Sequence, residues 1–142
     1  MGKKMNPVVH FEMGYLDRER MKTFYSTAFG WQMQQLGDDM GGYIVAQTTE
    51  TGDDGMVKTP GNINGGFYAK DSASSQAPSV VVSVDDVNEA VEAVKQAGGK
   101  ILGGIGMDGQ HTLEPQMIPG VGLWVSAEDT ESNRFSILQP KR

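Results

Sequence analysis

The sequence predicts an α+β protein built from two modules of the same order, each a strand, a helix and three further strands. Two observations support this prediction. The strand-then-helix pattern occurs twice, starting near residues 7 and 79, and each helix follows an aspartate and ends at glycine. The chain also has 19 glycines among its 142 residues, about twice the average usage. That composition favours short strands and tight turns over a helical bundle.

The first module is predicted to span 6–70. Residues 7–13 read as a strand, and Asp17 can cap a helix over 18–29, in which apolar residues recur at helical spacing. Gly30 provides the stop. Three strands are predicted after it, at 31–36, 43–49 and 66–70, with glycine-rich turns between them.

The second module is predicted to span 78–140, after a Ser/Ala-rich linker at 71–78. It opens with a valine-rich strand at 79–84. Asp86 and Glu89 match a capping box, and an apolar stripe predicts a helix that ends at the glycine pair 98–99. The remaining strands are predicted at 100–105, 121–127 and 134–138, and the turn 129–133 joins the last two as a hairpin.

Composition excludes several classes of function. The formal net charge of −6 argues against a broad nucleic-acid-binding face or binding to an anionic membrane surface. Because the chain has no cysteine, disulfides and cysteine-based metal or nucleophile sites are excluded. No apolar run reaches the roughly 18 residues that span a bilayer, and the first residues lack the apolar segment of a secretory signal. We therefore expect a cytoplasmic protein without membrane partners.

The opening strand carries two polar residues on one face. Residues two apart in a strand point the same way, so His10 and Glu12 share one face while Phe11 and Met13 share the other, which reads as core. A carboxylate beside an imidazole can orient it and raise its basicity, as in general-base catalysis. The alternative is a polar pair that lines a pocket. His111 is the other histidine, in a Gly- and Pro-rich segment, and a metal site at His10, Glu12 and His111 is the less favoured reading.

Four segments resemble one known family. They are NPVVHFE at 6–12, FYSTAFGW at 24–31, VSVDD at 82–86 and EDTESNRFSI at 128–137. Together they resemble the vicinal oxygen chelate superfamily, which includes glyoxalase I, bleomycin resistance proteins and extradiol dioxygenases. Relatives usually carry an Asp-Pro-Asp-Gly-type turn in the closing hairpin, and this chain departs from it with Thr130 and Ser132.

The resemblance implies two βαβββ modules that curl into a cup-shaped half-barrel of mixed sheet, with helices outside and the ligand on the concave side. Metal-dependent members place a ligand on the first strand and near the last strand of each module. By position these places fall on His10, Ser79, Ser136 and the segment 66–70, so the resemblance leaves one metal ligand of four. We therefore predict no bound metal or other cofactor. A divalent metal would be expected only if the chain were a metal-dependent enzyme.

Aromatic and methionine side chains can wall such a cup, because they provide adaptable apolar surface. Candidate ligand-binding residues are His10, Glu12, Tyr68, Met117 and Trp124, with Tyr43 and Met107 as further wall candidates and 112–122 as a mobile rim. His10 and Glu12 are also the candidate catalytic residues.

The expected function is binding of a small, partly apolar organic molecule by a protein whose metal site is degraded. One alternative is a lyase, isomerase or dioxygenase that uses His10, and another is sequestration of a cationic antibiotic. The resemblance also implies a homodimer. A physical reason supports it, because the exposed edges of short, valine-rich strands tend to pair with another chain.

Overall fold

A computed structural model describes residues 4–36, 41–70, 77–105 and 110–141. Within these ranges the chain forms two helices and ten strands, in the order β1 (Val8–Tyr15), α1 (Arg18–Phe29), β2 (Gln32–Gln35), β3 (Ile44–Gln47), β4 (Asn64–Ala69), β5 (Ser79–Ser83), α2 (Val87–Gln96), β6 (Lys100–Ile105), β7 (His111–Thr112), β8 (Gln116–Ile118), β9 (Gly122–Glu128) and β10 (Arg134–Pro140). The α+β class and the repeated strand–helix–strands order are confirmed. Neither helix is long and apolar enough to cross a membrane.

The chain divides into two compact units. We call His10–Ser79 the N-terminal unit, and Met1–Val9 together with Val80–Arg142 the C-terminal unit. The first residues of the chain thus pack with its second half. The backbone N–H of Ser83 donates to the Pro7 carbonyl at 2.9 Å, and Lys4 Nζ lies 2.7 Å from Asp85 Oδ2. Most of the predicted linker, 71–76, lies outside the described residues.

The N-terminal unit is a four-stranded sheet in the order β2-β3-β4-β1. Strand β1 runs parallel to β4, and the other pairs are antiparallel. Helix α1 begins as predicted, because the Asp17 side chain accepts from the Arg20 N–H at 3.0 Å. It ends at Gly30, whose φ of 74° is left-handed and therefore suits glycine.

The helix side of this sheet holds the core. Tyr15, Ile44, Ala46 and Phe67 are buried there. Phe11 and Met13 of β1 pack against them, together with Met21 and Tyr25 of α1 and with Trp31 and Met33. The Phe11 ring lies 5.6 Å from that of Trp31 and 6.2 Å from that of Phe67. The predicted face of Phe11 and Met13 is therefore confirmed.

The C-terminal unit has the strand order β5-β10-β9-β6-β7, with β8 paired to β9. Strand β10 runs parallel to β5 and antiparallel to β9. The predicted cap of α2 is confirmed, since Asp86 Oδ1 accepts from the backbone N–H groups of Asn88 and Glu89. The core of the C-terminal unit contains Val84, Val87, Ile101, Val125, Ala127 and Ile137. Ala90, Val91 and Val94 of α2 pack against this core.

The segment predicted as a rim, 112–122, overlaps two short strands that were not predicted from the sequence. Strand β7 pairs with β6, and β8 pairs with β9. His111 therefore lies in a strand rather than in a loop. The pairing of β7 with β6 depends partly on the backbone at Gly103. This residue has a φ of 76° and lies at an irregularity in the β6–β9 register. Any side chain at Gly103 would overlap the Thr112 carbonyl, so glycine permits the close approach of β7.

Candidate functional site

The face of the N-terminal sheet opposite α1 is polar. His10 and Glu12 lie there, because they alternate with Phe11 and Met13 along β1. The register pairs Glu12 with Gly66 on β4, and Gly66 with Val45 on β3. Tyr68, two residues beyond Gly66, therefore shares the face.

Tyr43 joins the two polar residues of β1. Its hydroxyl oxygen lies 3.2 Å from His10 Nε2 and 3.2 Å from Glu12 Oε2. We call His10, Tyr43 and Glu12 the polar cluster. The phenol ring lies over Gly66, where an added Cβ would overlap it. The missing side chain at Gly66 thus makes room for the cluster.

Proton counting assigns the tautomer of His10. An ionised Glu12 can only accept, so the single hydroxyl proton of Tyr43 is donated to its carboxylate. The Tyr43 oxygen must then accept from His10, which requires the proton of the neutral imidazole to sit on Nε2. The other ring nitrogen, Nδ1, is left with a lone pair. The cluster is a directed chain of donors that runs from His10 through Tyr43 to Glu12.

Burial keeps the first two members of the chain uncharged. It lowers the pKa of His10 from 6.5 to about 4, because the surroundings disfavour the imidazolium. The pKa of Tyr43 is raised, first by burial and then by the charge of Glu12 and the hydrogen bond to it, with a further contribution from Tyr68. At neutral pH the cluster therefore presents a neutral imidazole and a phenol.

His10 and Glu12 alone do not fit a transition metal. Such ions need three or four protein ligands, and the described ranges contain no group of three or more His, Cys, Asp or Glu side chains that could hold a metal ion. Ser136 is buried on β10 and Ser79 begins β5, and both are neutral hydroxyls. His111 donates from Nε2 to the Leu102 carbonyl at 2.7 Å, because a carbonyl only accepts.

The two remaining candidates belong to the C-terminal unit. Trp124 pairs in register with Gln116, whereas Met117 pairs with Leu123, which packs on the α2 side. Trp124 and Met117 therefore lie on opposite faces of their sheet, and Met117 is 61% exposed. The structure brings His10, Glu12 and Tyr68 to one face, but it does not bring Met117 and Trp124 together.

Tyr43 was predicted only as a possible wall residue and not as a ligand-binding or catalytic residue. The alternation of Tyr43, Val45 and Gln47 along β3 was the available signal, since it puts the phenol on the face opposite the buried Ile44 and Ala46. The register that carries the phenol to β1 could not be read from the sequence. Met107, a further wall candidate, lies outside the described residues.

Comparison with known proteins gives consistent matches. The family description "Glyoxalase/Bleomycin resistance protein/Dioxygenase superfamily" matches residues 8–134. A glyoxylase-like domain-containing protein of Didymella fabae is 30% identical over 129 residues, which cover 89% of this chain and 88% of that protein.

Solved structures share the fold at low identity. A methylmalonyl-CoA epimerase is 12% identical, with a TM-score of 0.65 over 99% of this chain and 100% of that one. A hypothetical protein of Bacillus halodurans is 12% identical, with a TM-score of 0.64 over 98% and 97% of the two chains. The methylmalonyl-CoA epimerase of Mycobacterium tuberculosis is 11% identical, with a TM-score of 0.61 over 95% and 88%. The chain belongs to the glyoxalase/bleomycin resistance protein/dioxygenase superfamily.

Proposed function

We propose that this protein binds a small, partly apolar organic molecule on the polar face of the N-terminal sheet, without a tightly held metal. The observation that carries the proposal is the polar cluster, in which the Tyr43 hydroxyl lies 3.2 Å from both His10 and Glu12. A polar group of this kind in an ordinary core would be fully buried, whereas these side chains are only partly buried. They can therefore meet a ligand.

The chemistry of the face defines the ligand. The Nδ1 lone pair of His10 accepts a hydrogen bond, so the ligand should offer a hydroxyl or an N–H group. Val45 and the ring of Tyr68 supply apolar surface on the same face, partly buried in the free protein. A compact molecule with one donor and an apolar body matches this combination.

Thermal-shift screening with matched variants tests the proposal. The library should contain neutral, anionic and cationic compounds, including cationic antibiotics. A ligand of the polar face should lose its stabilising effect in His10→Asn and Glu12→Gln. Two matched controls should keep it: His111→Asn, and Glu50→Gln, which removes an exposed carboxylate in the same unit.

Metal analysis completes this test. Untagged protein grown in metal-replete medium should contain far less than one transition metal per chain, and chelators should leave its Tm unchanged. Near-stoichiometric metal that is lost in His10→Asn would contradict the proposal. Equal loss of ligand binding in Glu12→Gln and Glu50→Gln would contradict it as well.

A second candidate function is proton transfer at a carbon next to a carbonyl. It is favoured by the continuous donor chain from His10 through Tyr43 to Glu12, since such chains can move protons. Similar solved structures include enzymes named methylmalonyl-CoA epimerase. Ligands found by screening should then exchange that C–H for deuterium in heavy water, as followed by NMR. Tyr43→Phe should abolish the exchange, and unchanged exchange in this variant would exclude the candidate.

A further inference from the structure

We propose a second binding site, on the face of the C-terminal sheet turned away from α2, for a small aromatic carboxylate. In this site Arg134 binds the carboxylate and Trp124 provides a surface for the ring. The proposal goes beyond the function proposed above, because it rests on residues of the C-terminal unit.

The first observation is the direction of the Arg134 side chain. The register places Arg134 across from Glu128, the obvious partner for a salt bridge. The guanidinium turns away from it instead. Its Nε donates to Ser126 Oγ at 3.0 Å, and Ser126 lies two residues from Glu128 along β9. No ion pair in the described part of the chain includes Arg134.

The charge of Arg134 is therefore not neutralised by a direct partner. Glu128, the nearest carboxylate in register, is also paired in register with Lys100 of β6. Glu128 thus lies in register between two cations, Arg134 and Lys100, and cannot neutralise both. The guanidinium of Arg134 therefore remains free to attract an anion.

Ser126 fixes the position of the guanidinium. It is fully buried on β9, between β10 and β6, so its hydroxyl is a rigid acceptor. Because this bond uses Nε, the two terminal nitrogens of Arg134 remain available, and the described residues offer them no partner. A carboxylate has two oxygens with the spacing that a guanidinium edge binds in a bidentate manner.

The second observation is the setting of Trp124. It lies two residues before Ser126 on the same face, roughly 7 Å away along the strand, and it is partly buried. It belongs to neither core cluster and forms no ring pair within the described ranges. Its ring lies beside Gly104 of β6, where an added Cβ would come within 3.0 Å of it.

The two observations together define the ligand. The guanidinium leans toward Ser126, and Trp124 is the next residue on that side. A carboxylate held by Arg134 therefore leaves an attached ring beside the indole, which favours aromatic over aliphatic acids. A single guanidinium with neutral hydroxyl neighbours suits a monoanion better than a phosphate dianion.

Binding of 4-fluorobenzoate, followed by fluorine NMR, tests the site. Arg134→Gln should weaken binding about tenfold, because a charge-assisted bidentate pair is lost. Ser126→Ala should weaken it about threefold, since the guanidinium loses its anchor. Trp124→Leu should also weaken it, and the neutral 4-fluorobenzamide should bind the unmodified protein about tenfold less tightly.

Lys95→Gln is the matched control, because it removes one positive charge from an exposed position on α2; it should bind 4-fluorobenzoate like the unmodified protein. Circular dichroism of each variant confirms that it is folded. Equal binding of the acid and the amide, equal binding by Arg134→Gln, or no binding at about 10 mM would overturn the proposal. Tighter binding of phenyl phosphate than of the benzoate would overturn the assignment of a carboxylate.

Discussion

The hydroxyl of Tyr43 and the imidazole of His10 meet at 3.2 Å across a strand that separates them. Tyr43 precedes β3, His10 lies on β1, and β4 runs between the two. The contact exists because Gly66 of β4 has no side chain to fill the space. One glycine in the middle strand thus determines whether the polar cluster can form.

The tautomer of His10 is a direct test of this relationship. At neutral pH, nitrogen NMR should show His10 as a neutral imidazole with its proton on Nε2. Tyr43→Phe removes the acceptor, so the signals should shift toward a mixture of tautomers. His111 should not change, because its Nε2 donates to the Leu102 carbonyl in the other unit. A His10 protonated on Nδ1 in the unmodified protein would refute the proposed chain of donors.

The buried imidazole should make stability depend on pH. In the unfolded chain His10 binds a proton below its ordinary pKa of 6.5, whereas in the folded protein it does so only below about 4. The free energy of unfolding should therefore decrease as the pH falls from about 6.5 to about 4, by up to about 3 kcal/mol from this group.

Urea denaturation at about pH 7 and about pH 4.5 measures this dependence. His10→Asn should lose less stability than the unmodified protein between the two conditions. His111→Asn, which removes the histidine of the other unit, is the matched control. The same slope in His10→Asn as in the unmodified protein would contradict the lowered pKa of His10.

The assignment of the two faces of β1 predicts the effect of truncating Phe11. Phe11 packs against Trp31 and Phe67. Full burial would make Phe11→Ala cost about 3–5 kcal/mol, and because Phe11 is partly buried the loss in the free energy of unfolding should lie at or below the lower end of that range. Met56→Ala is the matched control in the same unit. Because Met56 is 66% exposed, its truncation should cost less than about 1 kcal/mol. Equal effects in urea denaturation would show that Phe11 is not part of the core.

The closing hairpin should depend on an ionised Asp129. The pKa of Asp129 is lowered, mainly by the backbone and side-chain hydrogen bonds from Asn133, with a further one from the Glu131 N–H. The stabilisation is present above the ordinary pKa of the carboxyl and is lost as the pH falls through the lowered one. Asp129→Ala should therefore reduce the Tm by a few degrees at neutral pH and by less in acid. Glu131→Ala, in the same turn, should have little effect at either pH.

We also predict that the protein forms a homodimer. Strand β2 is an edge strand of the N-terminal sheet, and Phe24 and Phe29 of the neighbouring α1 are 57% and 63% exposed. Edges and apolar surface of this kind are commonly covered by association. Sedimentation at micromolar concentration should give twice the chain mass of 15.3 kDa. A single species of 15.3 kDa would contradict the prediction.

The helices were predictable because their signals are local. Asp17 and Asp86 cap helices at the predicted residues, and Gly30 ends the first one with a left-handed backbone. The faces of β1 were predictable too, since alternation along a strand needs no knowledge of its partners. Strands β7 and β8 were missed because two or three residues carry no usable periodicity.

Two of the three residues of the polar cluster, His10 and Glu12, could be predicted from the sequence. His10 and Glu12 are neighbours in the sequence, so their shared face followed from spacing alone. Tyr43 is more than thirty residues away from both, and its contact depends on the order of three strands and on their register. Met117 shows the converse limit, because a shift of one residue in the β8–β9 pairing would move it to the face of Trp124.

The packing of residues 4–9 with the second half of the chain has a consequence for protein synthesis. These residues are synthesised before their partners: the carboxylate of Asp85 follows Lys4 by 81 residues, and the N–H of Ser83 follows Pro7 by 83 − 7 = 76 residues. The N-terminal unit can complete its own sheet while the ribosome is still translating the second half. The first residues must wait, and the C-terminal unit closes only when they return to it. The C-terminal unit is therefore assembled from two segments that the whole of the N-terminal unit separates along the chain.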